Sequence, residues 1–360
     1  MCLACKTLDT SQVNAFAGRL LGMINAAGLS LMISIGHRTR LFDVMSTLPA
    51  ADSVTIAGAA GLNERYVREW LGAMTTGGVV HHDAANGTYH LPAEHASLLT
   101  RAAPMNVAAA TQFVAELGFI EDRVVECFEK GGGVRYEEYR HFHRLMAEDS
   151  GQTVVAALFD HILPLVPGIA DRLEQGIDVL DLGCGRGHAL ATLARRFPQS
   201  RFVGIDFSAD TIAWAQEQAA SDALANLRYE VADAARFDRP ASFDFVVTFD
   251  AIHDQARPDL VLKNIQRALR PDGVYLMQDI HSSSTHEGDK EHPLGPWLYA
   301  ISTSHCMTVS LAHGGMGLGT MWGERTARRM LNEAGFGGVR MERLPHDIQN
   351  AYYVIHQPKD

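Results

Sequence analysis

Residues 178–198 read "DVLDLGCGRGHALATLARRFP", and this stretch decides the fold. An apolar run up to Leu182 meets Gly183, Gly185 and Gly187, after which apolar residues recur at helical spacing. A buried strand therefore turns sharply into a helix. Glycine is needed where the backbone bends tightly and a ligand must approach main chain with no Cβ in the way. A dinucleotide fingerprint, G-x-G-x-x-G, would carry its third glycine at position 188, which is His188. The spacing is instead acidic-x-G-x-G-x-G beginning at Asp181, which argues against a nicotinamide-dependent oxidoreductase.

From about 176 onward strands and helices alternate. The apolar runs predict strands at 177–182, 201–206, 227–231, 243–249 and 273–279, with helices near 187–197, 209–221, 258–270 and 324–334. "GGVRMERLP" and "AYYVIHQ" add two more strands. This rhythm predicts an α/β fold with a mainly parallel, Rossmann-like sheet of seven strands, whose ligands bind beyond the carboxyl ends. Polar motifs fall at those ends.

The N-terminal third is different. Apolar residues at three- and four-residue spacing predict helices from about 12 to 76, with Gly61 ending one and Asn63 capping the next. The capped helix would bury Tyr66, Val67, Trp70, Leu71 and Met74. "VVHHDAANGTYHL" then predicts two strands around Asn86-Gly87. Helix-turn-helix plus hairpin is a winged-helix module. Its second helix balances Arg65 and Arg68 with Glu64 and Glu69, and the wing offers His81, His82 and Asp83. With a formal net charge of −11 for the chain, phosphate neutralisation is weak and nucleic acid is not the expected partner. Packing or dimerisation suits the module better. Residues 1–104 form this domain and 105–170 a helical connector or lid, whose "RYEEYRHFHRLM" suits either a solvated face or a pocket wall. Residues 171–360 form the α/β domain.

At 47% hydrophobic and 20% charged residues, the chain has the composition of a globular protein. No apolar run is expected to approach the roughly 20 residues that span a bilayer, and no signal-peptide pattern opens the sequence. Five scattered cysteines suit a reducing compartment, so a cytoplasmic location is expected. Cys2 and Cys5 form a CxxC without a second half for zinc, and no metal is expected.

The glycine spacing, with Asp206 closing the next strand in "FVGIDFS", resembles class I S-adenosylmethionine-dependent methyltransferases. The resemblance implies S-adenosylmethionine as cofactor and S-adenosylhomocysteine as its product. It implies a cofactor site of Asp181, Gly183, Gly185, Gly187, Asp206, Phe207, Asp233, Ala234 and Phe249. Asp206 would accept the ribose hydroxyls, and Asp233 and Ala234 would face adenine. A sulfonium is cationic, so acidic lining makes chemical sense.

A winged helix joined to this fold, with "HDQARPDLVLKNIQRALRPDG" after the fourth strand, looks like the small-molecule O-methyltransferases of plants and bacteria. It also resembles uncharacterised mycobacterial-type methyltransferases. The family's histidine, matched by His253, is the general base for a substrate hydroxyl. Two carboxylates, here Asp279 in "LMQDI" and Glu324 in "WGERT", would orient it. Gln255 stands where the family keeps tryptophan, and Asp279 is shorter than the family's glutamate. An imidazole can take a phenol's proton as the new bond forms, for a gain of about 10²–10⁴. Asp250, Trp297, His305, Met307 and Trp322 are expected around a small aromatic acceptor. A homodimer through the N-terminal helices is implied. Sulfur, nitrogen or carbon acceptors on the same scaffold are alternatives, as is a cofactor-sensing winged-helix transcription regulator.

Overall fold

The computed structural model describes residues 8–103 and 106–357; the Cys2–Cys5 pair lies outside them. The chain divides into two compact units, Met1–Ala115 and Glu116–Asp360.

In the first unit, helices Thr10–Arg38, Leu41–Thr47, Ser53–Ala60 and Glu64–Thr76 precede a hairpin of β1 (His81–Asp83) and β2 (Thr88–His90). Asn63 caps Glu64–Thr76 through Arg65 N at 3.0 Å, and Gly61 ends the preceding helix at φ +65°. Val67, Trp70, Leu71 and Met74 form its buried face and pack on Phe42, Met45 and Ile56. Tyr66, expected on that face, is 79% exposed. It precedes the 67/70/71/74 stripe by one residue, about 100° around the helix. The hairpin turn spans four residues, because the Asp83 carboxylate accepts from Ala85 N at 2.9 Å and draws the chain into a wider loop.

The expectation about apolar runs needs correcting. Thr10–Arg38 has 29 residues and an 18-residue window of mean hydropathy 1.5, long and apolar enough by composition to cross a membrane, with 17% of that window buried. Its alanines keep the hydropathy high between the large apolar positions.

In the second unit, seven strands among the described residues form one sheet. They are β3 (Asp178–Leu182), β4 (Arg201–Asp206), β5 (Leu227–Val231), β6 (Phe243–Phe249), β7 (Leu269–Ile280), β8 (Val339–Glu342) and β9 (Asn350–His356), in the order β5-β4-β3-β6-β7-β9-β8. All neighbours are parallel except β9, which runs antiparallel to both β7 and β8. Alternate residues face opposite layers. Val179, Phe245, Val247 and Leu276 pack with Leu190, Leu193 and Ile212. Leu180, Val246, Tyr275 and Met277 pack with Val261, Ile265, Met330 and Leu331 on the other side. Strand order reverses between β3 and β6, which opens a crevice at their carboxyl ends.

The opposite edge is closed by charge. Arg270 on β7 pairs with Asp178 of β3 at 2.9 Å and with Asp244 of β6, and Arg201 of β4 holds Asp178 at 2.6 Å. The hydrogen bond from Arg201, helped by Arg270 against some burial, keeps the Asp178 carboxyl below its usual range. Depressed carboxylates stabilise above their unfolded pKa and lose that contribution as pH falls through the folded one. Arg270→Ala should therefore cost about 1 kcal/mol at neutral pH, its guanidinium being part-exposed and screened. The gap to wild type should close as pH drops below about 4, measured by urea denaturation. A gap constant down to pH 3 would remove Asp178 from the account.

Candidate active site

The crevice holds a cavity of about 680 Å³, and all nine expected cofactor residues line it. β3 ends in the glycine turn. There the three glycines adopt positive φ for different reasons. A Cβ on Gly183 would meet that of Ala251 at 2.6 Å, and one on Gly187 would meet the Tyr229 hydroxyl at 2.2 Å. Tyr229 donates that hydroxyl to the Gly187 carbonyl at 2.7 Å. A Cβ on Gly185 would meet no heavy atom within 4 Å, so this residue leaves open the room for a ligand.

The next strand end supplies a fork. Asp206 accepts Gly185 N at 3.0 Å through one oxygen and Ser208 N at 2.9 Å through the other. Burial raises its pKa, and those two N–H groups pull it back down. Asp181 is buried with Oδ1 unpartnered, and burial followed by the nearby Asp206 charge pushes its pKa up to about 8. Asp233 caps Ala235 N at 2.9 Å and is exposed at the rim, while Ala234 is buried below it. Phe207 is 44% exposed, with its ring 5.3 Å from that of Tyr136. The lining thus offers a partnerless buried carboxylate, a fork for a diol, an open glycine and an acidic surround. These fit the methionine, ribose and adenine parts of a sulfonium nucleoside.

His253 is 3% exposed and Asp279, at the end of β7, is fully buried; His253 Nδ1 lies 2.7 Å from Asp279 Oδ1. Burial opposes a charged ring, yet the Asp279 carboxylate, its hydrogen bond and Cys306 outweigh it and raise the imidazole's pKa well above the ordinary value. Glu324 takes no part in this pair. One turn along its own helix stands Arg328, whose Nε donates to Glu324 at 2.6 Å, an i,i+4 ion pair that turns the carboxylate aside. Asp279 Oδ1 also accepts from Ile280 N at 2.8 Å and from Trp322 Nε1 at 3.0 Å.

The expected acceptor residues are dispersed. Asp250 lines the cofactor cavity; Trp297, His305, Met307 and Trp322 do not. Trp297 packs with Ile280, Leu298 and Met321. Met307 packs near Gly317 and Gly319. His305 is buried, stacked on Phe142, with Tyr136 and Tyr139 edge-on at 4.9 and 4.8 Å. Burial, then the charges of His253 and His143, hold its pKa well below the ordinary value. Tyr136, His143 and Met146 also line the cavity. They belong to "RYEEYRHFHRLM", whose aromatic and histidine density was the signal for a wall.

Residues 173–335 match the family described as a methyltransferase domain, and residues 27–101 match an Rv2258c-like winged HTH domain. A trans-aconitate 2-methyltransferase of Azoarcus sp. is 33% identical over 134 residues, covering 36% of this chain and 50% of that protein. The chain spans half or less of the length of the first curated relatives it matches. Among solved structures, a putative O-methyltransferase from Nostoc punctiforme superimposes with a TM-score of 0.71 at 18% identity, covering 94% of this chain and 99% of that one. Human N-acetylserotonin methyltransferase, solved in complex with S-adenosylmethionine, gives 0.68 at 16% identity, covering 95% and 98%. The chain joins a winged helix-turn-helix domain to a methyltransferase domain of the class I, S-adenosylmethionine-dependent fold.

Proposed function

We propose that the protein transfers a methyl group from S-adenosylmethionine to a hydroxyl of a small aromatic molecule, with His253 as general base. The observation that carries this is the buried His253–Asp279 hydrogen bond at the ligand edge of the sheet, 2.7 Å long. When bound, the cofactor supplies an electrophilic methyl for in-line displacement. Asp206, Asp233 and the glycine turn bind and orient it, and Phe207, Phe249 and Tyr136 shield it from water. With Nδ1 committed to Asp279, Nε2 of His253 is the atom that accepts the hydroxyl proton. Asp279, fixed in turn by Trp322, sets the tautomer and holds the ring that becomes charged, the base–orienter arrangement of nucleophile activation. Tyr136 and His143, stacked with ring centroids 4.9 Å apart in the cavity wall, supply flat surface, which suits an aromatic acceptor.

The proposal extends to a homodimer through Thr10–Arg38, on which Phe16, Leu21, Met23 and Ile24 are at least half exposed. A contiguous apolar face of this kind is an association surface. The winged-helix module then serves packing and dimerisation. A cytoplasmic location is supported by free thiols at Cys127, Cys184 and Cys306.

His253→Ala should lower turnover by about 10²–10⁴ with cofactor affinity retained; unchanged turnover would exclude a base at this position. Asp206→Ala should weaken cofactor binding by about ten- to a hundredfold, the loss of charge-assisted hydrogen bonds, read by calorimetry. A joint Leu21→Glu and Ile24→Glu variant should run as a monomer in light scattering. A dimer that persists would take this helix out of the interface.

A further inference from the structure

Asp250, immediately after β6, carries a carboxylate for which the hydroxyl chemistry has no use. Its φ is +50°, a left-handed conformation uncommon outside glycine. β7 holds it there: Asp250 N donates to the Gln278 carbonyl at 3.0 Å, and Gln278 Nε2 donates to Asp250 Oδ2 at 3.1 Å. In this position Asp250 lines the cofactor cavity, and one donor atom each from Asp250, His253 and Asp279 lies within 4.8 Å of the other two. Asp250 Oδ1 and Asp279 Oδ2 are both buried without a partner. Two ionised carboxylates sharing such a place repel, and each orphaned oxygen is costly. A proton on one of them converts an acceptor into a donor and removes the repulsion.

The surroundings supply little positive charge. His253 and Asp254 come from the same turn, Gln278 and Asp279 from β7, and Tyr352 and Asp347 from β9 and the loop before it. His305 and Cys306 come from the turn at 302–306, and Tyr136 from its 3₁₀ turn. The strongest influences on Asp250, His253 and Asp254 include no lysine or arginine. The cavity's own arginines are engaged elsewhere: Arg186 over Trp214, Arg236 with Asp233, Arg257 with Asp259. Burial, followed by the Asp279 charge, pushes Asp250 up to about 8.

We propose that Asp250, Asp279 and His253 form one buried proton-holding cluster in which Asp250 stays a neutral acid, so that His253 gives up its proton when a sulfonium enters the cavity. This deepens the preceding reading and rests on His253 being the base. With the cavity free of cation, imidazolium and Asp279 carboxylate cancel. Entry of the sulfonium, whose cofactor's amino and carboxylate groups cancel each other, adds one positive charge. His253 then loses one proton to solvent, and the region is neutral again with a free imidazole lone pair. During transfer the acceptor's proton moves to His253 while the sulfonium becomes an uncharged thioether, and neutrality is kept a third time. Asp250 is a positioning residue in this scheme: an ionised Asp250 would hold the imidazolium and leave no base.

The test is calorimetry of cofactor binding at pH 7 in buffers of different ionisation enthalpy, which counts released protons without any acceptor. S-adenosylmethionine should release about one proton more than S-adenosylhomocysteine. The difference should persist in Asp250→Asn, which keeps a neutral side chain, and vanish in His253→Gln. Equal release for the two cofactors overturns the proposal. So does loss of the difference in Asp250→Asn, which would make Asp250 the ionised group. Stoichiometric metal that is lost on the Asp250→Asn change would overturn it too. Turnover of His253→Ala tests the base and proton counting tests the charge coupling, so the two readings fail separately.

Discussion

Parallel strands finish at one edge, and everything that follows a strand end in this sheet must share that edge. What gathers there is carboxylate: Asp181 near the end of β3, Asp206 closing β4, Asp250 after β6 and Asp279 near the end of β7. The other edge pairs its carboxylates, Asp178 and Asp244, with Arg270. The sheet therefore carries ion-paired acids at one end of its strands and buried, incompletely bonded ones at the other. The ion-paired edge is satisfied within the fold. The other edge keeps unpartnered buried oxygens on Asp181, Asp250 and Asp279. Stability and ligand preference are thus drawn from the same residue type at opposite ends of the same strands.

The base pair of the site is leaner than the resemblance implied. With Glu324 held by Arg328, Asp279 carries the negative charge beside His253, and a neutral indole N–H from Trp322 bonds the same carboxylate oxygen. A second anion at that position would bind an imidazolium more firmly. A neutral donor fixes the orientation of Asp279 without that effect, and the closeness of Asp250 makes the difference matter.

Much of this was legible in the sequence because strand ends announce themselves. Glycine spacing at 183–187, a terminal Asp206 and apolar runs of fixed length placed the cofactor residues, and the strand bounds agree to within a residue for β4, β5 and β6. The partnership of His253 with Asp279 was implied by the resemblance alone, and the two meet at 2.7 Å. Tertiary competition was not legible. The matched "ERT" gave no warning that Arg328, four residues on, would take Glu324. Trp322 was expected as an acceptor wall, and its N–H became a ligand for Asp279 instead. Trp297 and Met307 have composition suited to a pocket, yet Trp297 packs against Ile280, Leu298 and Met321, and Met307 against the loop at Gly317 and Gly319, since residue type alone does not say which face of a helix turns inward. The apolar reach of Thr10–Arg38 was underestimated because alanines fill the spaces between its large apolar residues and few charges interrupt them.

The indole of Trp322 has a further consequence. It shares a single carboxylate oxygen with the imidazole of His253, so its excited state lies within the field of that ring. Trp214 stacks on His188 and lies under Arg186 at the cofactor cavity. The molecule thus carries two native fluorophores at different depths of one site. One is seated on the buried His253–Asp279 pair and the other beside the cavity, and together they form an optical readout that needs no added label.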